Sequence, residues 1–502
     1  MNTSTEYVVE LVMPQIQGHN QKLVKGQLLY VVLFQSLKQA IVSKDLPHLW
    51  PLPGTRSLAE ALGISRSTVI RAYEMLELEQ FITVTAGSGY RVSGIDKPQG
   101  HKNPDIDMSS PKGHLISRRG VQYLNSYRFV QQGTDSGLAF RPGLPPVDIF
   151  PIGRWKNLLN NYWRYVKSST LNYTHPSGDQ LLKEKIRDFL RVSRGISCTT
   201  EQIIIVSGSV QSIYLLANTF LDPGDRVLLE NPTFPNVIGI FQGSGARVEG
   251  IDCDEDGIIT QLLPVKSTDT IPKLVHVTPG CQYPLGMPLS LDRRKELIQW
   301  VNENDSLIIE NDYEHEIPDR SKLLPPIFTL DPNARTIYLG TFNRLLYPSI
   351  RLGFMVCPVE LAHAVAALQA HAHRFVSPYL QEVMRQFIDK NFLYFHLRNL
   401  SAEAPERERL FRKLFPFSSE TGYFGSPEPA RSLHLTFHLR GTDGGLAAES
   451  DLFRKLAKVG ISAHPLSRCY LPDTKPRGGL ILGYSAVPPV LIREKLKMLQ
   501  ML

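Results

Sequence analysis

Apolar side chains recur at helical spacing over residues 28–43, where Leu29, Val32, Leu33, Leu37 and Ile41 form one stripe. Residues 52–62 predict a short helix led in by Pro53-Gly54, and Gly63-Ile64 then turns the chain into a second helix from Ser65. In that second helix Val69, Ala72, Tyr73 and Leu76 fall at i, i+3, i+4 and i+7 and share a face. Arg66, Ser67, Ile70 and Arg71 lie elsewhere on the cylinder, so its N-terminal end is polar and basic. Two β-type runs follow, residues 81–85 and 90–92, and the Ala86-Gly87-Ser88-Gly89 stretch between them predicts a hairpin. Further along the period changes. Runs at 202–206, 226–230, 273–277, 307–310 and 336–339 are apolar on both faces and are separated by helix-length segments. Strands of that kind predict a mainly parallel sheet with helices on both sides.

This punctuation divides the chain into a compact unit over 22–93, a polar and basic connector over 94–137, and a long α/β region over 138–502. The connector holds Lys97-Pro98-Gln99-Gly100-His101-Lys102-Asn103-Pro104, then Lys112, Arg118 and Arg119, and reads as a solvated linker whose cations can meet DNA phosphates. A length of 502 residues agrees with at least two folding units. The 42% hydrophobic and 21% charged residues are those of a globular protein, and no window nears the roughly 18 apolar residues of a membrane span. Near the N-terminus Glu6 and Glu10 replace the basic and apolar regions of a secretory leader, so no membrane partner and a cytoplasmic location are expected. Cys198, Cys253, Cys281, Cys357 and Cys469 are odd in number and never paired as Cys-x-x-Cys, which argues against a disulfide framework or a thiolate metal site; no metal is expected. The net charge of +7 is compatible with a polyanionic partner. Residues 1–98 nevertheless carry nine Lys or Arg against eight acids, so tight binding of such a partner by this unit would lean on a dimer.

A helix with arginine and hydroxyl side chains at its N-terminal end suits major-groove reading, because Arg pairs two guanine acceptors while Ser and Thr reach phosphate or base edges. The glycines of the hairpin tip let its backbone turn tightly and approach a groove. Leu52-Pro53-Gly54-Thr55-Arg56, Gly63-Ile64-Ser65-Arg66-Ser67-Thr68-Val69 and the Gly87-Ser88-Gly89 tip together resemble the GntR superfamily of winged helices over residues 52–92. The resemblance implies a double-stranded DNA operator as partner. Its contacts would come from Arg56, Ser65, Arg66, Ser67, Thr68 and Arg71, with Gly87, Ser88 and Gly89 at the wing tip.

From about residue 138 onward a second resemblance appears. It rests on Gly143-Leu144-Pro145-Pro146, Val206-Ser207-Gly208-Ser209-Val210-Gln211, Asp222-Pro223-Gly224-Asp225, Glu230-Asn231-Pro232-Thr233-Phe234, Val277-Thr278-Pro279-Gly280-Cys281-Gln282-Tyr283-Pro284, Glu310-Asn311-Asp312-Tyr313 and Gly340-Thr341-Phe342-Asn343-Arg344. These are similar to fold-type-I aminotransferases, and specifically to the effector domain of MocR regulators. The fold class implied is multidomain: an N-terminal winged helix-turn-helix, helical with a small β-wing, joined to an α/β aminotransferase-like domain. In that family the turn at Gly208 opens a helix whose N–H groups hold the phosphate of pyridoxal phosphate, which places Ser209, Val210 and Gln211 there. Phe234 would stack on the pyridine, Tyr313 reach the ring oxygen and Arg351 meet the phosphate, with Tyr283 also in the pocket.

Two chemical essentials of the family are missing. Its Gly-Thr-Phe-Ser-Lys pattern reads Gly340-Thr341-Phe342-Asn343-Arg344 here, and a guanidinium, protonated and delocalised, is a very poor nucleophile toward an aldehyde. Its Glu-Asp-Asp-Tyr pattern reads Glu310-Asn311-Asp312-Tyr313, so an amide stands where a carboxylate keeps the ring nitrogen protonated, unless a one-residue slip brings in Asp312. Cys281 stands for the usual His, and Ile481 where aminotransferases place a substrate-binding Arg, with Arg477 nearby. The expected function is a DNA-binding transcriptional regulator without a catalytic residue. Its degenerate domain would serve for head-to-tail homodimerisation and for sensing an unknown small-molecule effector, with pyridoxal phosphate bound only noncovalently if at all. The alternative is a pyridoxal-phosphate-binding regulator or an aminotransferase that retains some activity.

Overall fold

The computed structural model describes residues 3–21, 29–79, 81–85, 89–93, 115–130, 139–265, 271–314, 324–415, 423–424, 432–441 and 443–500. In the N-terminal unit, helices α1 (Thr3–Gln21), α2 (Leu29–Val42), α3 (Thr55–Leu62) and α4 (Arg66–Leu78) pack beside a small antiparallel sheet. Its strands β1 (Pro51–Leu52), β2 (Ile82–Thr85) and β3 (Gly89–Val92) run in the order β1-β3-β2. The apolar stripe of α4, Val69, Ala72, Tyr73 and Leu76, is buried against Leu33, Phe34 and Leu37 of α2. Tyr73 Oη donates to the Pro53 carbonyl at 3.0 Å, which satisfies the buried hydroxyl and ties α4 to the loop before α3. Val8, Val12 and Ile16 of α1 belong to the same core, so that core also draws on residues ahead of 22.

The connector is not wholly a solvated linker. Helix α5 (Arg118–Val130) lies within it and packs on α9 (Pro235–Ser244). Ser126 is buried, and a Cβ on Gly243 of α9 would lie 2.4 Å from the Tyr123 ring. Val121, Tyr123, Leu124 and Phe129 supply an apolar face that the Pro- and Gly-rich first half of the connector obscures.

The large domain is built on a sheet in the order β4 (Ile203–Val206), β11 (Gly353–Val356), β10 (Thr336–Thr341), β9 (Leu307–Asn311), β8 (Leu274–Val277), β5 (Arg226–Asn231), β6 (Arg247–Asp254) and β7 (Gly257–Ile258). From β10 across to β6 the pairs are parallel, whereas β11 runs antiparallel to both β10 and β4. Alternate residues of a strand enter different cores. Ile204 and Val206 pack with α8 (Ser209–Phe220), α9 and α12 (Val359–Ala372). Ile203 and Ile205 pack with α6 (Ile152–Tyr165), α7 (Gln180–Arg194), α13 (Pro378–Asp389) and α14 (Phe392–Leu414). On the other half of that face α10 (Leu291–Asn304) and the short α11 (Ile327–Leu330) cover Val275 and Ile308. A second antiparallel sheet, β12 (Tyr423–Phe424), β13 (His434–Leu439), β15 (Gly479–Gly483) and β14 (His464–Pro465), packs with α15 (Leu446–Lys458) and α16 (Pro489–Gln500).

Helix α16 also meets the N-terminal unit. Lys38 of α2 pairs with Glu494 and, at 3.0 Å, with Glu79 just beyond α4, and Lys495 lies 3.5 Å from Glu79. The Glu79 side chain is only 2% exposed, and Leu78 packs on the large core. Helix α4 is thus anchored at its C-terminal end. Among the described residues no helix is long and apolar enough to cross a membrane.

Candidate DNA-reading face and aminotransferase-like site

The N-terminal end of α4 is its exposed end. Ser65 caps it, its hydroxyl accepting from the Thr68 N–H at 3.1 Å, and lies 2.8 Å from the hydroxyls of Ser67 and Thr68. Ser65, Arg66 and Ser67 are exposed and Thr68 half-buried. Arg66 Nε donates to Thr55 Oγ1 at 3.3 Å, which fixes the start of α4 beside the start of α3, where Arg56 is exposed. Arg71, also exposed, lies 5.7 Å from the Tyr30 ring. Gly89 begins β3 at a φ of 81°, left-handed backbone that suits glycine; Gly87 and Ser88 lie outside the described residues.

In the large domain the family-like segments meet at the carboxyl edge of the parallel strands, where ligands of open α/β sheets bind. After β4 the chain turns at Gly208, φ 94°, into the twelve-residue α8, whose first residues Ser209 and Val210 are half-buried. Gln211 Oε1 accepts from the Ser207 N–H at 2.5 Å and braces the turn. A Cβ at Gly208 would lie 2.5 Å from Asn343 Nδ2, so glycine is required by both the backbone and the close approach. Asn343 Oδ1 accepts from the Leu352 N–H at 3.1 Å, closing the loop that carries Arg344 and Arg351. Arg351 is exposed and left-handed, φ 47°.

Strand alternation separates Asn311 from Asp312. Asn311 Nδ2 lies 3.3 Å from His276 Nε2, and its Oδ1 is buried without a partner. Burial pushes His276 down to about 4, so the ring is neutral and accepts at Nε2. Asp312 is held by Arg194 at 2.6 Å and by the Tyr338 hydroxyl at 3.0 Å. It is committed to that pair and does not share the surroundings of Asn311.

The remaining residues cluster around Arg344. Phe234 and Tyr283 stack face to face, centroids 3.7 Å apart and planes within 8°, and Tyr313 meets Phe234 edge-on at 5.1 Å. The Tyr313 hydroxyl is buried beside the Cys281 thiol. The Arg344 guanidinium lies 5.4 Å from the Tyr313 ring and 5.9 Å from that of Phe234, and its Nη1 is 3.1 Å from Glu314 Oε1. The Glu314 side chain is fully buried and accepts from the Leu433 N–H at 3.0 Å. Burial raises its carboxyl above the ordinary range, and Arg344 works against that rise. The same burial, with Arg344 adding repulsion, pushes His434 down to about 3. Gly143, φ 82°, makes room for the cation: a Cβ there would sit 2.2 Å from Arg344 Nη1. Ile481 is buried in one cluster with Tyr283 and Tyr313. No site role was assigned to Glu314, Gly143, His276 or Arg194 from the sequence; the one signal for Glu314 was an acid directly after Tyr313, with the cation of Arg344 further along the chain.

Residues 29–92 match the family model of bacterial regulatory proteins of the gntR family, and residues 151–475 match that of aminotransferase class I and II. A probable rhizopine catabolism regulatory protein, MocR of Rhizobium meliloti, is 30% identical over 483 residues, 93% of this chain and 92% of its own. The pyridoxine biosynthesis transcriptional regulator PdxR of Corynebacterium glutamicum is 30% identical over 443 residues, 87% of each chain. In fold the chain is similar to LysN, the alpha-aminoadipate aminotransferase of Thermus thermophilus, with a TM-score of 0.65 and 23% identity over 72% of this chain and 91% of that one. It is likewise similar to the kynurenine aminotransferase of Pyrococcus horikoshii, with a TM-score of 0.66 and 24% identity over 79% of this chain and 97% of that one. With the exposed end of α4 and the aminotransferase-like site joined in one molecule, the chain belongs to the MocR-type transcriptional regulators, in which a GntR winged helix precedes a fold-type-I aminotransferase-like domain.

Proposed function

We propose that this regulator binds its operator as a homodimer through α4 and the wing, while its aminotransferase-like domain is catalytically silent and senses a small-molecule effector without covalent chemistry. The observation that carries the silent reading is the Arg344–Glu314 pair at the position where the family pattern has an amine. A guanidinium is delocalised and a very poor nucleophile toward an aldehyde. Asn311, an amide donating to His276, cannot hold a proton on a ring nitrogen. Tyr283 already covers one face of Phe234. These residues do not fit covalently held pyridoxal phosphate, and they count equally against a residual aminotransferase activity. The Gly208 turn, the start of α8 and Arg351 remain, which supports a noncovalent, anionic ligand.

Dimerisation is supported by exposed large apolar side chains on and after α6: Trp163, Tyr165, Leu171 and Tyr173 are 55%, 73%, 60% and 75% exposed. The family resemblance implies a head-to-tail pair that would present two winged helices to two half-sites. The DNA reading is tested by a gel shift on the DNA upstream of the chain's own reading frame. Arg66→Ala abolishes the shift while circular dichroism stays that of the parent. Unchanged affinity removes α4 from the interface.

A further inference from the structure

A cavity of about 280 Å³ opens where the start of α6 meets the start of α14, and it shares no lining residue with the site around Arg344. Its volume lies near the lower end for small-molecule sites. Ile149, Pro151, Phe392 and Phe395 give it apolar and aromatic walls, and Arg154, His396 and Asn399 supply its polar groups. Arg154 is exposed, lies 4.8 Å from the Phe392 ring, and has no ion pair among the described residues.

His396 is the built element. It is 2% exposed, and its ring stands edge-on to Phe150 at 5.7 Å. Nε2 lies 2.7 Å from the Leu345 carbonyl, which has only lone pairs to offer, so Nε2 carries the proton and Nδ1 is an acceptor. That Nδ1 is buried without a hydrogen-bond partner. Burial also lowers the proton affinity of the ring, which keeps it neutral. An unmet buried acceptor carries a desolvation cost, and a ligand donor reaching it from the cavity would remove that cost.

We propose that this cavity is a second ligand site, distinct from the aminotransferase-like one, for a small aromatic carboxylic acid that carries a hydroxyl or ammonium donor. The carboxylate meets Arg154, the ring lies among Phe392, Phe395, Ile149 and Pro151, and the donor satisfies His396 Nδ1. The site rests on the reading above that this domain senses a small molecule, and adds a second position to the anionic one at the Gly208 turn. Ile149 follows Asp148, which Arg407 holds at 2.7 Å and 3.0 Å, so a ligand here borders that ion pair.

The test is calorimetric titration of the full chain with phenyllactate, with hydrocinnamate, which lacks the hydroxyl, and with phenylethanol, which lacks the carboxylate. Phenyllactate binds saturably; loss of the carboxylate or Arg154→Ala weakens binding about tenfold, and loss of the hydroxyl about fivefold. His396→Phe abolishes the preference for phenyllactate over hydrocinnamate. Arg154 is on the surface, so its variant reports even where the His396 variant fails to fold. No saturable heat up to about 10 mM phenyllactate, or equal affinity in Arg154→Ala, overturns the proposal. Weakening by Arg351→Ala in place of Arg154→Ala also overturns it, because the ligand would then sit in the aminotransferase-like site. The gel shift is independent of all these outcomes, so the DNA reading stands or falls separately.

Discussion

Replacing Arg344 with alanine leaves the Glu314 carboxylate buried beside Tyr313 without its cation. The Glu314 side chain has no exposed surface and, among the described residues, keeps only the Leu433 N–H as a donor. Removing one partner of a fully buried pair costs about 3–5 kcal/mol; Arg344 is 19% exposed, so solvent screens part of the interaction and about 2–3 kcal/mol is expected near neutral pH. The sign of the pH dependence follows from the carboxyl. Burial raises it above its ordinary 4.5 and Arg344 opposes the rise, so Arg344→Ala lets it climb further. A carboxyl raised on folding destabilises only as pH increases from the unfolded value through the folded one. The loss is therefore small at pH 4.5 and larger at alkaline pH. Glu314→Gln on top of Arg344→Ala recovers most of it, since an amide needs no cation and can still accept from Leu433. Urea midpoints of the parent, both single variants and the double variant, read at the two pH values, decide the matter. A loss equal at both pH values, or one that Glu314→Gln does not rescue, refutes the ion-pair account of this site.

The other predictions concern the fold around that site. Burial pushes Glu230 up to about 7 from 4.5, against the hydrogen bonds from Thr278, so the parent loses stability as pH rises between those values. Glu230→Gln should flatten this slope and raise the melting temperature above pH 7, by no more than about 3 kcal/mol in stability; an unchanged slope would show that Glu230 is ionised at little cost. Glu79→Ala removes the carboxylate shared by Lys38 and Lys495, and calorimetry should show the N-terminal unit melting separately and earlier than the large domain. A single transition at the parent's temperature would mean that the α16 contact does not couple the two units.

Much of this was legible in the sequence, and what escaped has physical reasons. The stripe on α4 and the five apolar runs of the large sheet are local periodicities, and each is found where the pattern places it. Strand β11 escaped because its four residues follow a loop that is itself largely apolar, so no change of pattern sets them off, and they join the sheet only through distant pairing with β4 and β10. Helix α5 escaped because its apolar face follows a stretch too rich in Pro and Gly to suggest packing. At the site, Arg344 was visible as a departure from a motif, but its partner lies thirty residues earlier on another segment, and only the fold brings the two to 3.1 Å. The choice between Asn311 and Asp312 likewise depended on which face of the strand end each side chain takes, and Arg194, remote in sequence, holds Asp312.

The most direct test of the silent site is to add pyridoxal phosphate to the full chain, follow the visible spectrum, reduce with borohydride and map the peptides. The account predicts the spectrum of the unbound cofactor and no lysine of residues 138–502 reduced in preference to the others. A stoichiometric aldimine band that borohydride converts to a phosphopyridoxyl group on one lysine of that domain would contradict it.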